Sequence, residues 1–132
     1  MKLLSNKAHG VLDYASVYIL LVSPYFLEMK GPATNFSWAL AFVHLALTLL
    51  TDFKLGFIKI IPLKLHAKIE LIVSPVLTGV AVYFFNAGDR AAAWFYFLFS
   101  VMLFLIWYNS GYDTATEKSS DSNKQAYEKS CV

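Results

Sequence analysis

Four long apolar runs, at about residues 11–29, 35–51, 67–85 and 91–109, constrain this chain more than any other feature. Each is close to the roughly 20 residues that a helix needs to cross a bilayer. Hydrocarbon offers the backbone no hydrogen-bond partner, so a spanning segment must satisfy its own N–H and C=O groups and is helical. Only 15% of the residues are charged and 58% are hydrophobic, against about 25% charged in a soluble domain. The deficit falls in the four runs. The expected fold is therefore all-α, a four-span transmembrane helical bundle with the lipid bilayer as its first partner.

The basic residues orient it. Lys2 and Lys7 precede the first run, Lys54, Lys59, Lys64 and Lys68 occupy the second connection, and Lys118, Lys124 and Lys129 lie in the tail. Only Lys30 and Arg90 fall in the other two connections. By the positive-inside bias, both termini and the central connection are expected to be cytoplasmic, in a multi-pass protein of the inner (plasma) membrane. The connections "EMKGPATN" and "NAGDR" are short and carry turn residues, which predicts two tandem helical hairpins within residues 1–110. The central "DFKLGFIKIIPLKL" interleaves Phe53, Leu55, Phe57, Ile58, Ile60 and Ile61 with lysines, as expected of a segment lying among headgroups. Pro62 suits the first turn of the third helix. Residues 111–132, rich in Ser, Lys, Asp and Glu, read as a disordered cytoplasmic tail. The first run is too long for the h-region of a cleavable signal and holds Asp13, so the first helix is expected to be retained. A single cysteine, Cys131, allows no intrachain disulfide, and a net charge of +2 gives no reason to expect nucleic acid.

Polar residues inside these runs carry the functional signal. An acid at a helix centre costs about 2.5–3.5 kcal/mol on insertion scales, and such groups usually face the protein interior and pair. His9 and Asp13 are four residues apart and share a helix face. His66 and Glu70 repeat that spacing, and the shift of 57 residues that superposes the two pairs also lays Asp52 on Asn109. Repeat copies of about 9–52 and 66–109 result. A repeat of two spans keeps its orientation, so the copies would be related by an axis along the membrane normal. The lysine topology then puts His9, Asp13, Asp52, His66, Glu70 and Asn109 together at the cytoplasmic side.

Three uses of such a cluster are open. Each histidine can donate to the acid on its own face, so that the network fixes the packing of the hairpins. His9, Asp13, Asp52, His66 and Glu70 can instead hold a divalent metal ion such as Zn²⁺, Fe²⁺ or Mn²⁺, for which imidazole and carboxylate are suitable donors. Or the histidines, titrating near neutral pH, can handle protons or substrate. His44 stands apart, midway along the second helix, and is expected to make a buried hydrogen bond across the bundle. No other histidine shares its depth, so haem is not expected. At Ser23-Pro24 and Ser74-Pro75 each proline removes a backbone hydrogen bond, and the serine can occupy a freed carbonyl. Tyr25, Trp38, Tyr83, Trp94, Trp107, Tyr108 and Tyr112 fit interfacial belts. Nucleophile elbow, phosphate-cradling glycine loop, Cys-pair zinc site and dinucleotide fingerprint are all absent from the sequence, so catalysis is not indicated.

The stretch "HGVLDYASVYILLVSP", followed by "LLTDFKLGFIKIIPLKLHAKIE", resembles the SPW-repeat group of small bacterial integral membrane proteins. His9, Asp13, Ser23, Pro24, Thr51, Asp52, Leu55, Gly56, His66 and Glu70 carry the likeness, over residues 7 to about 109. Tyr25 stands where the group's tryptophan would be, and the second Ser-Pro lies six residues before the position that the repeat predicts. The resemblance implies a four-span fold and membrane residence, not an activity. The expected function is a structural or accessory integral membrane protein, with a homo-oligomer or a membrane protein as possible partner. The alternative is a metal-binding or redox-accessory protein using the same cluster, and a third is an oligomeric transporter or channel component.

Overall fold

A computed structural model describes residues 5–52, 56–110 and 123–131. It is all-helical among these residues. Helix α1 spans Asn6–Phe26, α2 Pro32–Leu50, α3 Leu63–Asn86 and α4 Arg90–Asn109. A short exposed helix, α5, covers residues 123–130. The tail read as disordered from its composition thus contains two turns of helix, in a stretch supplied with the helix formers Lys, Gln, Ala and Glu. Lys2, Phe53, Lys54, Leu55 and the tail residues 111–122 lie outside the described residues. Helices α2, α3 and α4 are long and apolar enough to cross a membrane. Helix α1 has the length, but Lys7, His9 and Asp13 lower its hydropathy.

The helices pair as two hairpins, α1 with α2 and α3 with α4, and their backbones meet far more within hairpins than between them. Both tips close in the same way. Glu28 and Gly88 have φ of 50° and 86°, and the next residues return their N–H groups to the carbonyls of Pro24 and Phe84. This is the left-handed turn that ends many helices, glycine in one copy and a strained glutamate in the other. Pro24 leaves the carbonyl of Leu20 without its helical donor. Ser37 of α2 donates to that carbonyl at 2.7 Å and Ser23 at 3.2 Å, so the proline's defect becomes a tie between α1 and α2. In the other hairpin Ser74 and Ser100 exchange hydroxyl-to-carbonyl bonds of 3.0 and 2.6 Å.

Large apolar side chains point outward: Tyr18, Phe42, Val43, Ile72, Trp94, Leu98 and Tyr108 are all exposed. The interior holds alanines, hydroxyls and the ionisable residues beside apolar side chains such as Leu20, Leu77, Phe99 and Leu103. A water-soluble surface rarely carries so continuous an apolar area, whereas small and hydroxyl residues at helix contacts are the usual packing material within membranes. The central connection folds under α2, where the N–H groups of Phe57, Ile58, Ile60 and Ile61 bond the carbonyls of Leu49 and Leu50. Phe57, Ile58 and Ile60 are exposed there. Pro62 caps α3 one residue before its first turn.

At the tip end the hairpins are joined by Tyr96. Its ring is fully buried between Phe36 and Phe84, and its hydroxyl donates to the Ala33 carbonyl at 2.8 Å. Tyr96→Phe should remove that bond alone and lower stability by about 1 kcal/mol. Denaturant titration of the detergent-solubilised protein measures this, and a neutral result would mean that the bond joins nothing of consequence.

Candidate metal centre

The two histidines arrive at their places by the same local route. Ser5 caps α1, its hydroxyl accepting from the Ala8 N–H at 3.2 Å, and Pro62 caps α3. His9 and His66 are each four residues past the cap, and Asp13 and Glu70 follow one turn later. All four side chains are at most 2% exposed. Their rings and carboxylates converge from the two hairpins, with the ring centroids of His9 and His66 5.6 Å apart.

The contacts form a closed cycle. His9 Nε2 lies 3.5 Å from Asp13 Oδ1 and 3.4 Å from Glu70 Oε2. His66 Nε2 lies 3.4 Å from both Asp13 Oδ2 and Glu70 Oε1. Each imidazole thus faces one oxygen of each acid, and each acid gives one oxygen to each imidazole. The pattern of contacts is unchanged when the two histidine-acid pairs are exchanged.

The far side of each imidazole is held by the opposite hairpin. His9 Nδ1 is 2.6 Å from the hydroxyl of Ser110, just past α4, and His66 Nδ1 is 2.7 Å from the hydroxyl of Thr51, just past α2. Both hydroxyls spend their one proton on the carbonyl four residues back, Ser110 on Ile106 at 2.6 Å and Thr51 on Leu47 at 2.5 Å. Each can therefore only accept from the ring. The network assigns the proton of both neutral imidazoles to Nδ1, and the Nε2 lone pair points into the ring of carboxylate oxygens. Asp13 Oδ2, His66 Nε2 and both Glu70 oxygens are buried with no hydrogen-bond partner among the described residues.

The two carboxylates can be balanced by protons, on Nε2 or on the acids themselves, or by one divalent cation between neutral imidazoles. Charge-assisted N–H···O⁻ bonds are about 2.7–2.9 Å long, shorter than any of the four contacts. These four contacts use both oxygens of each acid, so they are not the edges of one tetrahedron, but imidazole and carboxylate are donors that suit Zn²⁺. Mg²⁺ takes carboxylate and water oxygens rather than imidazole. Ca²⁺ takes six to eight oxygens, a donor set that excludes imidazole. The ligand atoms of His9, Asp13, His66 and Glu70 all lie within 4.8 Å of one another.

Asp52 and Asn109, expected in the cluster, lie outside it. Asp52 is exposed, with its backbone N–H on the Ile61 carbonyl, and the Asn109 amide donates to Leu105 on its own helix. In both cases the neighbouring residue at the end of the hairpin turns inward: Thr51 before Asp52, Ser110 after Asn109. The duplication is not a uniform shift. It is 57 residues from His9 to His66 but 60 between the turn residues Glu28 and Gly88, since α3 has 24 residues and α1 has 21. It is 59 from Thr51 to Ser110. A constant shift of 57 therefore hides the hydroxyl pair. His44, expected apart from the cluster, borders it: its Nε2 is 4.0 Å from Asp13 Oδ1 and its ring 6.3 Å from that of His66.

Comparison with family models, curated proteins and solved structures finds no match to this chain.

Thr51→Val removes the acceptor that orients His66. Imidazole ¹⁵N spectra of the detergent-solubilised protein should show His66 protonated at Nδ1 in the native chain and a mixture of tautomers in the variant. An unchanged spectrum would remove the hydroxyl from the account.

Proposed function

We propose that this chain is an integral membrane protein that binds one divalent transition-metal ion such as Zn²⁺ through His9, Asp13, His66 and Glu70. The observation that carries this reading is the convergence of four buried side chains, each with one ligand atom within 4.8 Å of the others. Their Nε2-to-oxygen contacts of 3.4–3.5 Å are longer than charge-assisted hydrogen bonds. Charge points the same way. A dication, two carboxylates and two neutral imidazoles sum to zero, which is the condition for burying ionised groups in a low-dielectric interior. Thr51 and Ser110 act one shell out, as the partners that fix the tautomer and aim the rings.

All four long helices cross the bilayer in this reading. Helix α1 supports it by turning His9, Asp13, Ser16 and Ser23 inward while Val11, Tyr18, Leu21 and Phe26 face out. The lysines then put the metal centre, the central connection and both termini on the cytoplasmic side of the plasma membrane. Exposed Phe57, Ile58 and Ile60 lie among its headgroups. The motif likeness to the SPW-repeat group includes five residues of the site, His9, Asp13, Thr51, His66 and Glu70. The same site is therefore expected wherever those motifs recur.

Elemental analysis of the purified protein, followed by Zn²⁺ titration of the chelator-treated chain, tests the reading. One zinc per chain is expected in the native protein and none in His66→Ala. Thr51→Val should bind about 10–100-fold more weakly. Affinity should fall as pH is lowered, because proton and metal compete for the same imidazole lone pair. If the native protein holds no metal and takes up none, while His66→Ala is merely less stable, the cycle is a packing device and this function falls.

A further inference from the structure

The tip end of the second hairpin carries a groove that the metal centre does not use. A cleft of about 330 Å³ opens between α3 and α4 on the outer surface. Ala81 and Ala93 line it and are both buried, so its floor sinks between the helices. Phe85, Trp94 and Phe97 stand exposed along its sides. Thr78, its one hydroxyl residue, turns that hydroxyl inward to Ser100 at 2.8 Å. The cleft therefore presents almost wholly apolar surface.

A charge stands at its mouth. Arg90, the first residue of α4, lays its guanidinium over the ring of Phe85, 5.9 Å from the centroid. It makes no ion pair among the described residues. Its neighbour Asp89 commits a carboxylate oxygen to the Ala92 N–H at 3.0 Å, the cap of α4. From Phe85 the cleft reaches Thr78, which at the rise of a helix is roughly 10 Å away, within the roughly 15 Å of hydrocarbon in one leaflet. Trp94 lies one turn in from Arg90, where an indole suits the headgroup boundary. The 60-residue offset of the two tips pairs Arg90 with Lys30 and Phe85 with Tyr25, but Trp94 with Thr34 and Phe97 with Ser37. Both tips thus carry a cation and an aromatic residue, while in the first hairpin two hydroxyl residues replace the other aromatic sides.

We infer that this cleft binds one phospholipid of net negative charge from the leaflet at the hairpin tips, with an acyl chain between Phe85, Trp94 and Phe97 and the phosphate on Arg90. The inference is independent of the metal and rests on the reading that α3 and α4 cross the bilayer. An unpaired guanidinium offers a planar fork that holds phosphate through two parallel N–H···O bonds, and phosphate is the anion that a bilayer presents at that depth. A zwitterionic headgroup brings its own cation to the phosphate and competes with Arg90, so a net negative one is preferred. A second copy of the chain is a poorer occupant. A two-fold axis along the membrane normal would lay the patch on itself and set Arg90 against Arg90, like charge on like.

Quenching of Trp94 by brominated lipid tests this. With Trp38→Phe and Trp107→Phe, Trp94 is the one tryptophan left in the full chain. The detergent-solubilised protein would be titrated with phosphatidylglycerol carrying brominated acyl chains, and separately with brominated phosphatidylcholine. Phosphatidylglycerol should quench saturably, at a concentration about tenfold lower than phosphatidylcholine, the strength of a charge-assisted bond. Arg90→Gln should erase that preference. Val82→Phe, which fills the cleft from an exposed wall, should weaken both lipids. Excess inorganic phosphate should leave the quenching unchanged. Native mass spectrometry of the unaltered chain repeats the comparison without the tryptophan substitutions, and one retained phosphatidylglycerol per chain is expected. Equal quenching by the two lipids, or a preference that survives Arg90→Gln, would overturn the inference. Displacement by phosphate alone would reduce the site to an anion contact and overturn it equally, as would a dimer that covers Val82 in place of lipid. Recovery of the chain in the soluble rather than the membrane fraction would sink the membrane reading on which it stands.

Discussion

Two carboxylates and two imidazoles meet where water does not reach, and their charge has to be cancelled within the protein. An ion removed from water without compensation costs several kcal/mol even after relaxation. The chain meets this constraint by committing the outer nitrogen of each ring to a hydroxyl that has no proton left to offer. Neutralisation then falls to the ring that the inner nitrogens form with Asp13 and Glu70. Because each hydroxyl belongs to the hairpin opposite its histidine, the two clamps cross. Sliding one hairpin against the other breaks both at once. This accounts for how two units with few backbone contacts between them hold one register.

The same economy of polar groups runs through the rest of the molecule. Interior hydroxyls cover carbonyls that prolines or helix ends leave open, as Ser37 does for Leu20 and Thr51 for Leu47. The outer surface carries the bulky apolar residues. Small and hydroxyl side chains share the interior with a set of large apolar ones, among them Leu20, Leu77, Phe99 and Leu103, and the small residues are what packing among helices in lipid favours. Tyr96 at the tip end and the ionisable ring at the other end are the polar links between the hairpins, with a cluster that includes Leu20, Leu77, Phe99 and Leu103 between them.

Much of the helical plan could be read from residue order. The apolar runs end within a few residues of α1–α4, and the spacing of His9 with Asp13 and His66 with Glu70 puts each pair on one face because a helix turns every 3.6 residues. The extension of the site to Asp52 and Asn109 failed for an equally physical reason. A repeat detected at one shift stays in phase only while its copies have equal length, and α3 is three residues longer than α1. The residues that do hold the histidines, Thr51 and Ser110, are ordinary hydroxyls, and nothing in their local sequence marks them as more than helix ends.

Residue order alone determined that the chain is helical, where its helices turn back, and that two His-x₃-acid pairs sit at matching positions, since periodicity, capping and turn chemistry act over a few residues. Only the tertiary structure decided that the pairs face each other at 3.4–3.5 Å, that the hydroxyl of one hairpin aims the ring of the other, and that His44 reaches the rim. Those are relations between groups 15 to 101 residues apart in the chain. Distances at that separation are set by how helices pack, which no local pattern encodes.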